Sequence, residues 1–204
     1  NQIVIYGGSL TNSLSLSVGS LLGSDALSAG STIYSYLGTG STTYGPSTTA
    51  PTTPGTYQIS VSSLSFASGS ATNYNISFAS ASLTISTRAT SITANSQSLT
   101  YGTAVTSTFT AGSLSGADSV TSVTFTYLGT GSTTYSSSTT APTNTGTYTV
   151  TPSAAIFSVG SAANYTITYL AGSLTITSRA ITVLPGNQIV IYGGSLTNSL
   201  SLSV

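Results

Sequence analysis

The sequence predicts an all-β chain, β-dominated with at most single helical turns, built as a tandem array. Three observations carry this expectation. Residues 187–204, NQIVIYGGSLTNSLSLSV, repeat residues 1–18 letter for letter, a period of 186. Inside that period YLGTGSTTY begins at Tyr36 and again at Tyr127, an offset of 91. Short runs alternate apolar residues with Ser, Thr or Gln, the period-two signature of a strand with one buried face. Repeats at fixed spacing indicate modules stacked or strung with their neighbours.

The offsets divide the chain. Tyr36, Tyr57, Tyr74 and Arg88 recur 91 residues on as Tyr127, Tyr148, Tyr165 and Arg179. Tyr6 recurs at offset 95 as Tyr101, and Asp25 at offset 93 as Asp118. The first unit therefore carries four extra residues, two on each side of Asp25, read as longer loops on an equal scaffold. The expected organisation is a first β unit over 1–88, a second over 89–179, and the opening strands of the next repeat over 180–204. A unit of about 91 residues suffices for one small core.

Individual strands follow from the alternation. Tyr57–Val61, Val123–Tyr127, Tyr165–Tyr169 and Leu174–Thr177 place β-branched and aromatic residues on one side and hydroxyls on the other. Gly45-Pro46-Ser47 and Pro51-Thr52-Thr53-Pro54-Gly55 punctuate them. Gly23–Leu27 and Gly116–Val120 each offer the start of one helical turn, with Ser or Asp as cap. Gly38-Thr39-Gly40-Ser41 reads as a turn between strands, since no Lys or helical pattern follows to make it a phosphate loop. The second unit opens with a strand near Ala89–Ala94, whose counterpart one unit on is Ala180–Leu184. The first unit has no such strand, so its opening strand is expected from a preceding repeat or from another copy. A missing strand leaves an open sheet edge, which is an assembly site.

Composition narrows function. The 204 residues include only two Asp, two Arg and no Lys, Glu, His, Cys, Met or Trp. Charge is 2%, against about 25% in ordinary soluble domains. Ser and Thr make up about two-fifths of the chain, and 13 Tyr and 5 Phe supply material for cores. This is not the high-charge, low-hydrophobicity signature of disorder. Without cysteine there is no disulfide framework. No apolar run approaches the ~20 residues needed to span a membrane. A neutral, hydroxyl-covered surface favours lateral association, and a Lys- and Glu-free Ser/Thr repeat points to an extracellular or cell-surface location.

The ordered motifs resemble a known family. Tyr-Gly at Tyr6-Gly7, Tyr101-Gly102 and Tyr192-Gly193 is similar to the hallmark of MBG-type (YGX) β repeat domains. Gly-x-Asp follows at Gly23–Asp25 and Gly116–Asp118, then Gly-Thr-Tyr at Gly55–Tyr57 and Gly146–Tyr148, then Asn-Tyr at Asn73-Tyr74 and Asn164-Tyr165. The closing motif is Gly172-Ser-Leu-Thr-Ile-Thr177, with Ala81–Ser86 as its milder first-unit form. The resemblance implies tandem β domains of large secreted bacterial surface proteins, often adhesin-like, in a spacer or stalk role. The near absence of charge departs from typical members.

Candidate sites are few. No catalytic, cofactor-binding or metal-ligating set is expected. General acid–base chemistry needs groups titrating near neutrality, a Ser nucleophile needs a base, and zinc needs His or Cys. Two isolated Asp cannot supply the six to eight oxygens of a calcium site. Two arginines make no nucleic-acid footprint. One Asp and one Arg per unit invite an inter-domain salt bridge among Asp25, Asp118, Arg88 and Arg179. The alternative makes Arg a solvated linker residue and Asp a turn or cap residue. The recurrent tyrosines read as core residues with hydroxyls at the rim, or as a sugar-stacking platform. Asn75-Ile76-Ser77 and Asn164-Tyr165-Thr166 match glycosylation acceptors.

The functional expectation is a non-enzymatic structural repeat forming an extended extracellular fibre or stalk. Its partners would be neighbouring copies of the repeat and surface glycans, without nucleic acid or membrane insertion. One alternative is a filament subunit joined by strand donation through 180–204. Another is an adhesion or carbohydrate-binding module.

Overall fold

The computed structural model describes residues 1–10, 18–28, 32–184 and 189–194. The first half contributes β1 (Gln2–Ile5), β2 (Ala26–Leu27), β3 (Ile33–Gly38), β4 (Gly55–Ser63), β5 (Phe66–Ser68) and β6 (Ala81–Ser86). They form a four-stranded sheet in the order β1-β6-β4-β3 and a two-stranded sheet β2-β5. The second half contributes β7 (Arg88–Ala94), β8 (Gln97–Thr100), β9 (Phe109–Ala111), β10 (Ser119–Gly129), β11 (Gly146–Val159), β12 (Tyr165–Leu170) and β13 (Gly172–Thr177). These make a four-stranded sheet β10-β11-β13-β8 and a three-stranded sheet β12-β7-β9. At the repeat offsets β1, β3, β4 and β6 match β8, β10, β11 and β13, so the two four-stranded sheets share one strand order.

Alternation along two strands builds each core. Tyr57 and Ile59 of β4 face Leu83 and Ile85 of β6, and all four are buried. Tyr148 and Val150 of β11 with Leu174 and Ile176 of β13 repeat the set, joined by Ala94 and Tyr127. A buried tyrosine needs a partner for its hydroxyl. Tyr57 donates to the Thr53 carbonyl at 2.7 Å, and Tyr148 donates to the Asn144 carbonyl at 2.7 Å. Each phenol thus ties its strand to the residue four positions upstream, the device of a tyrosine corner. Tyr44 and Tyr135 pack edge-on against them, with ring centroids 5.7 and 5.6 Å apart.

The halves differ where β7 enters. Thr87 alone separates β6 from β7, so the chain leaves one four-stranded sheet and at once becomes the central strand of the three-stranded sheet. β7 pairs in parallel with β12, Tyr165 opposite Arg88 through Leu170 opposite Thr93. Its inward residues Ile92 and Ala94 are 0% and 2% exposed, and Ala94 closes the core from the opposite layer. In the first half the residues matching β12, Tyr74–Ala79, form no strand. Among the described residues that half has no counterpart of the three-stranded sheet. There too the long strands β10 and β11 are matched by broken pairs, β2 with β3 and β4 with β5.

Two local expectations are corrected. Gly23–Leu27 and Gly116–Val120 do not start helical turns: each is a tight turn that runs into a strand, β2 or β10. The single 3-10 turns lie at Ala71–Asn73 and Ala162–Asn164, where Ser70 and Ser161 cap them by accepting from the second residue onward. Ala180–Leu184 reads as a strand but forms none, because a strand exists only with a ladder partner and this segment has none within the described residues. The rest of the expected opening strands lies partly outside those residues. Residues 189–194 form no strand.

Thr90 marks a removable cost. Its Oγ1 is buried with no hydrogen-bond partner, and Ile181 occupies the matching position one unit on. Thr90→Val keeps the shape and removes the unsatisfied hydroxyl, which costs about 1–3 kcal/mol when left unpaired. The urea midpoint of Thr90→Val should rise at unchanged m-value.

Candidate functional site

The chain's two carboxylates sit in equivalent turns. The Asp118 amide donates to the Ser115 carbonyl at 3.0 Å, and the Asp25 amide donates to the Leu22 carbonyl at 3.1 Å. These turns bring each carboxylate beside the tyrosine that follows a 3-10 turn. Tyr165 Oη donates to Asp118 Oδ2 at 2.6 Å and accepts from the Ser115 amide at 2.9 Å. Tyr74 Oη donates to Asp25 Oδ2 at 2.7 Å and accepts from the Leu22 amide at 3.0 Å. A stacked phenylalanine backs each ring, Phe157 on Tyr165 at 5.3 Å and Phe66 on Tyr74 at 5.5 Å. Glycine makes the carboxylate's seat: a β-carbon on Gly160 would collide with the Asp118 carboxyl, and one on Gly69 with that of Asp25.

At Asp118 a third member arrives from the other half. Tyr6 Oη donates to Asp118 Oδ2 at 3.0 Å across a sequence separation of 112. Its ring meets Tyr165 edge-on, with centroids 5.5 Å apart and planes at 77°. The next residue, Gly7, has φ of +79°, and a β-carbon there would collide with the Ser115 side chain. The Tyr-Gly pair therefore places a phenol on the carboxylate and the backbone against the turn that carries it. The cleft around this contact, about 370 Å³, is lined from both halves by Leu10, Pro51, Ile85, Ser115 and Ala117 among others. Thr87 adds a hydroxyl contact to Thr166, 2.6 Å away.

Of the four charged residues singled out by sequence, Asp118 is brought to the junction between halves, where its hydrogen-bond donors are phenols. Asp25 holds the same turn with Tyr74 as its phenol donor. Arg88 lies beside the Tyr6-Gly7 turn and Arg179 beside Tyr101-Gly102, each Nη1 3.8 Å from where the glycine's β-carbon would stand. Sequence reasoning missed Tyr6 and Tyr165 as the partners of Asp118, and Gly160 as its seat. The available signal was that Tyr6, Asp25 and Tyr74 all recur in the next unit. Chemically the site holds a carboxylate that accepts hydrogen bonds from two phenols. Among the described residues no group of three His, Cys, Asp or Glu gathers for a metal.

Burial first, and the Asp118 carboxylate second, hold the Tyr6 and Tyr165 hydroxyls above the ordinary tyrosine value of 10.0. A raised phenol is stabilising in its neutral form. Its contribution is complete below pH 10 and is lost as pH rises through the raised values. The melting temperature should fall as pH rises above 10, and Tyr6→Phe should reduce that fall while costing about 1 kcal/mol at pH 7.

Gly7→Ala and Gly102→Ala separate strain from contact. Both positions have positive φ, +79° and +91°, which costs a β-carbon about 1–2 kcal/mol. Only Gly7 also faces a side chain of the other half. In small-angle scattering, Gly7→Ala should broaden the distribution of distances between halves and Gly102→Ala should leave it unchanged.

Comparison with known proteins adds a family. Residues 91–175 match the family described as MBG domain (YGX type). No curated protein matches the chain. Among solved structures the chain is similar to Dscam1 isoform 7.44, N-terminal four Ig domains, at 11% identity and a TM-score of 0.29, covering 72% of this chain and 38% of that one. It is also similar to Dscam1 isoform 4.44, N-terminal four Ig domains, at 9% identity and a TM-score of 0.29, covering 88% and 44%. The chain thus spans less than half the length of either, and likeness at that score carries no structural argument. No described helix is long and apolar enough to cross a membrane. The family match falls on the half with the complete pair of sheets and contains Asp118, its turn and Tyr165, so over residues 91–175 the chain is similar to MBG domains of the YGX type.

Proposed function

We propose that this chain is part of an extracellular structural protein whose repeats form an extended fibre or stalk, as in bacterial surface adhesins. In this reading residues 1–88 are a second unit of the same kind, and the partners are neighbouring copies of the repeat. The supporting observation is the connection between halves. One residue, Thr87, separates a strand of one sheet from a core strand of the next, and the Tyr6–Asp118 hydrogen bond crosses the same junction. A one-residue connection whose far side is a core strand leaves little freedom to hinge, which suits a spacer. Arg88, beside the Tyr6-Gly7 turn, is proposed to add attraction to Asp118 across the junction, with Arg179 and Asp25 in those roles at the next one. Added salt would screen that attraction.

The reading fixes a measurable mass. The native polypeptide, fully denatured, should run at many times the 20.3 kDa of this segment, and each 186-residue period should add on the order of 60–80 Å of length. A denatured mass near 20 kDa from intact fibres would replace the continuous stalk with a polymer of separate subunits.

A further inference from the structure

The 13 tyrosines are the most easily oxidised side chains of this sequence, because it has no Cys, Met, Trp or His. Three pairs of them meet edge-on. Tyr6 meets Tyr165, Tyr44 meets Tyr57 and Tyr135 meets Tyr148, with ring centroids 5.5, 5.7 and 5.6 Å apart. What the hydroxyls touch separates the pairs. Tyr44 and Tyr57 donate to two different carbonyls, those of Thr49 and Thr53. Tyr135 and Tyr148 do the same with Thr140 and Asn144. Tyr6 and Tyr165 instead converge on one oxygen, Asp118 Oδ2, at 3.0 and 2.6 Å. A carbonyl holds a phenol without taking its proton, whereas a carboxylate can do both. An oxidised phenol is a strong acid, so it forms most easily where a base already accepts its hydrogen bond.

We infer that Tyr6 and Tyr165 are a site of oxidative cross-linking, joined ring carbon to ring carbon by hydrogen peroxide acting through a haem peroxidase. Tyr6 is half-buried and Tyr165 is 6% exposed. The oxidant therefore meets Tyr6, and the electron from Tyr165 crosses the short gap between the rings. Each ring gives up one electron, and its hydroxyl proton passes to Asp118 Oδ2 and on to water. The two phenoxyl radicals then form a carbon–carbon bond between ring positions adjacent to the hydroxyls. The hydrogen on each newly bonded carbon moves as a proton to the phenol oxygen, so both hydroxyls are restored. Two electrons and two protons leave the pair in all, and one hydrogen peroxide takes them up to become two waters. Phe157, stacked on Tyr165, and the Tyr6-Gly7 turn seated against Ser115 limit how far either ring can turn away. The product is a covalent pin between the two halves of a chain that has no cysteine to make one.

Trypsin makes the test specific. It cleaves after Arg88 and Arg179, so digestion of the denatured chain separates residues 1–88 from 89–179 unless a bond joins them. A cross-link within the Tyr44–Tyr57 or Tyr135–Tyr148 pair stays inside one fragment and does not join the two. The 204-residue protein is treated with hydrogen peroxide and a haem peroxidase, and its monomer band is isolated, denatured and digested. The expected product is 1–88 joined to 89–179, lighter than their sum by two hydrogens and carrying biphenol fluorescence. Fragmentation in the mass spectrometer should place the bond at Tyr6 and Tyr165. Tyr6→Phe and Tyr165→Phe should each abolish the joined product, and Asp118→Asn should slow its formation by about tenfold. No joined product from the unaltered protein, a bond at any other pair, or a joined product that persists in Tyr6→Phe overturns the inference. None of these outcomes bears on the stalk reading, which is judged by denatured mass.

Discussion

β7 belongs by covalent position to the end of one repeat and by packing to the core of the next. It follows β6 after Thr87, yet Ile92 is the most completely enclosed aliphatic side chain of the second half and Ala94 seals that core. A parallel strand cannot be made by a hairpin and must be delivered by a long crossover. Here the sequence between β7 and β12 provides the crossover, so the whole second half is wound around a strand that the first half hands over. Where β7 is present, β10 and β11 run unbroken for 11 and 14 residues. In the first half, among the described residues, the equivalent strands are interrupted and Tyr74–Ala79 forms no strand.

With four charged side chains in 204 residues, the chain joins its parts through hydroxyls. Tyr57 and Tyr148 anchor strands to upstream carbonyls, and Tyr6 and Tyr165 share the Asp118 carboxylate. A phenol brings apolar area and one hydrogen bond in the same rigid group. It can close a small core and satisfy a partly buried carboxylate without the desolvation of a second charge. Such contacts are also less sensitive to salt than ion pairs, an advantage for a protein read as extracellular.

Much of the architecture was legible in residues. The period-two runs marked β4, β10, β12 and β13, because alternation is a local consequence of one buried face, and the repeat phase marked β7. Ala180–Leu184 shows the limit of that signal: it has strand composition and no strand, since pairing depends on a partner that composition does not supply. The helical turns were misplaced for a related reason. Gly-Ser-Asp and Gly-Ala-Asp satisfy turn and cap chemistry equally well, and only the strand that follows decides between them. The tyrosines were read as core residues with their hydroxyls at the rim, which describes Tyr57 and Tyr148. It does not describe Tyr6, whose partner is 112 residues away.

The sequence by itself determined the repeat, the β class, the paucity of chemistry and the resemblance to MBG domains. These are written in spacing, alternation and residue types, all of which are local or self-referential. Tertiary structure alone decided that the linking strand completes the following sheet, that Asp118 is held by phenols from both halves, and that Gly7 must be glycine because Ser115 stands where a β-carbon would go. Those outcomes depend on which surfaces meet after more than a hundred residues of intervening chain. A one-dimensional pattern records that Tyr6 and Asp118 exist, and only the folded register brings them within a hydrogen bond.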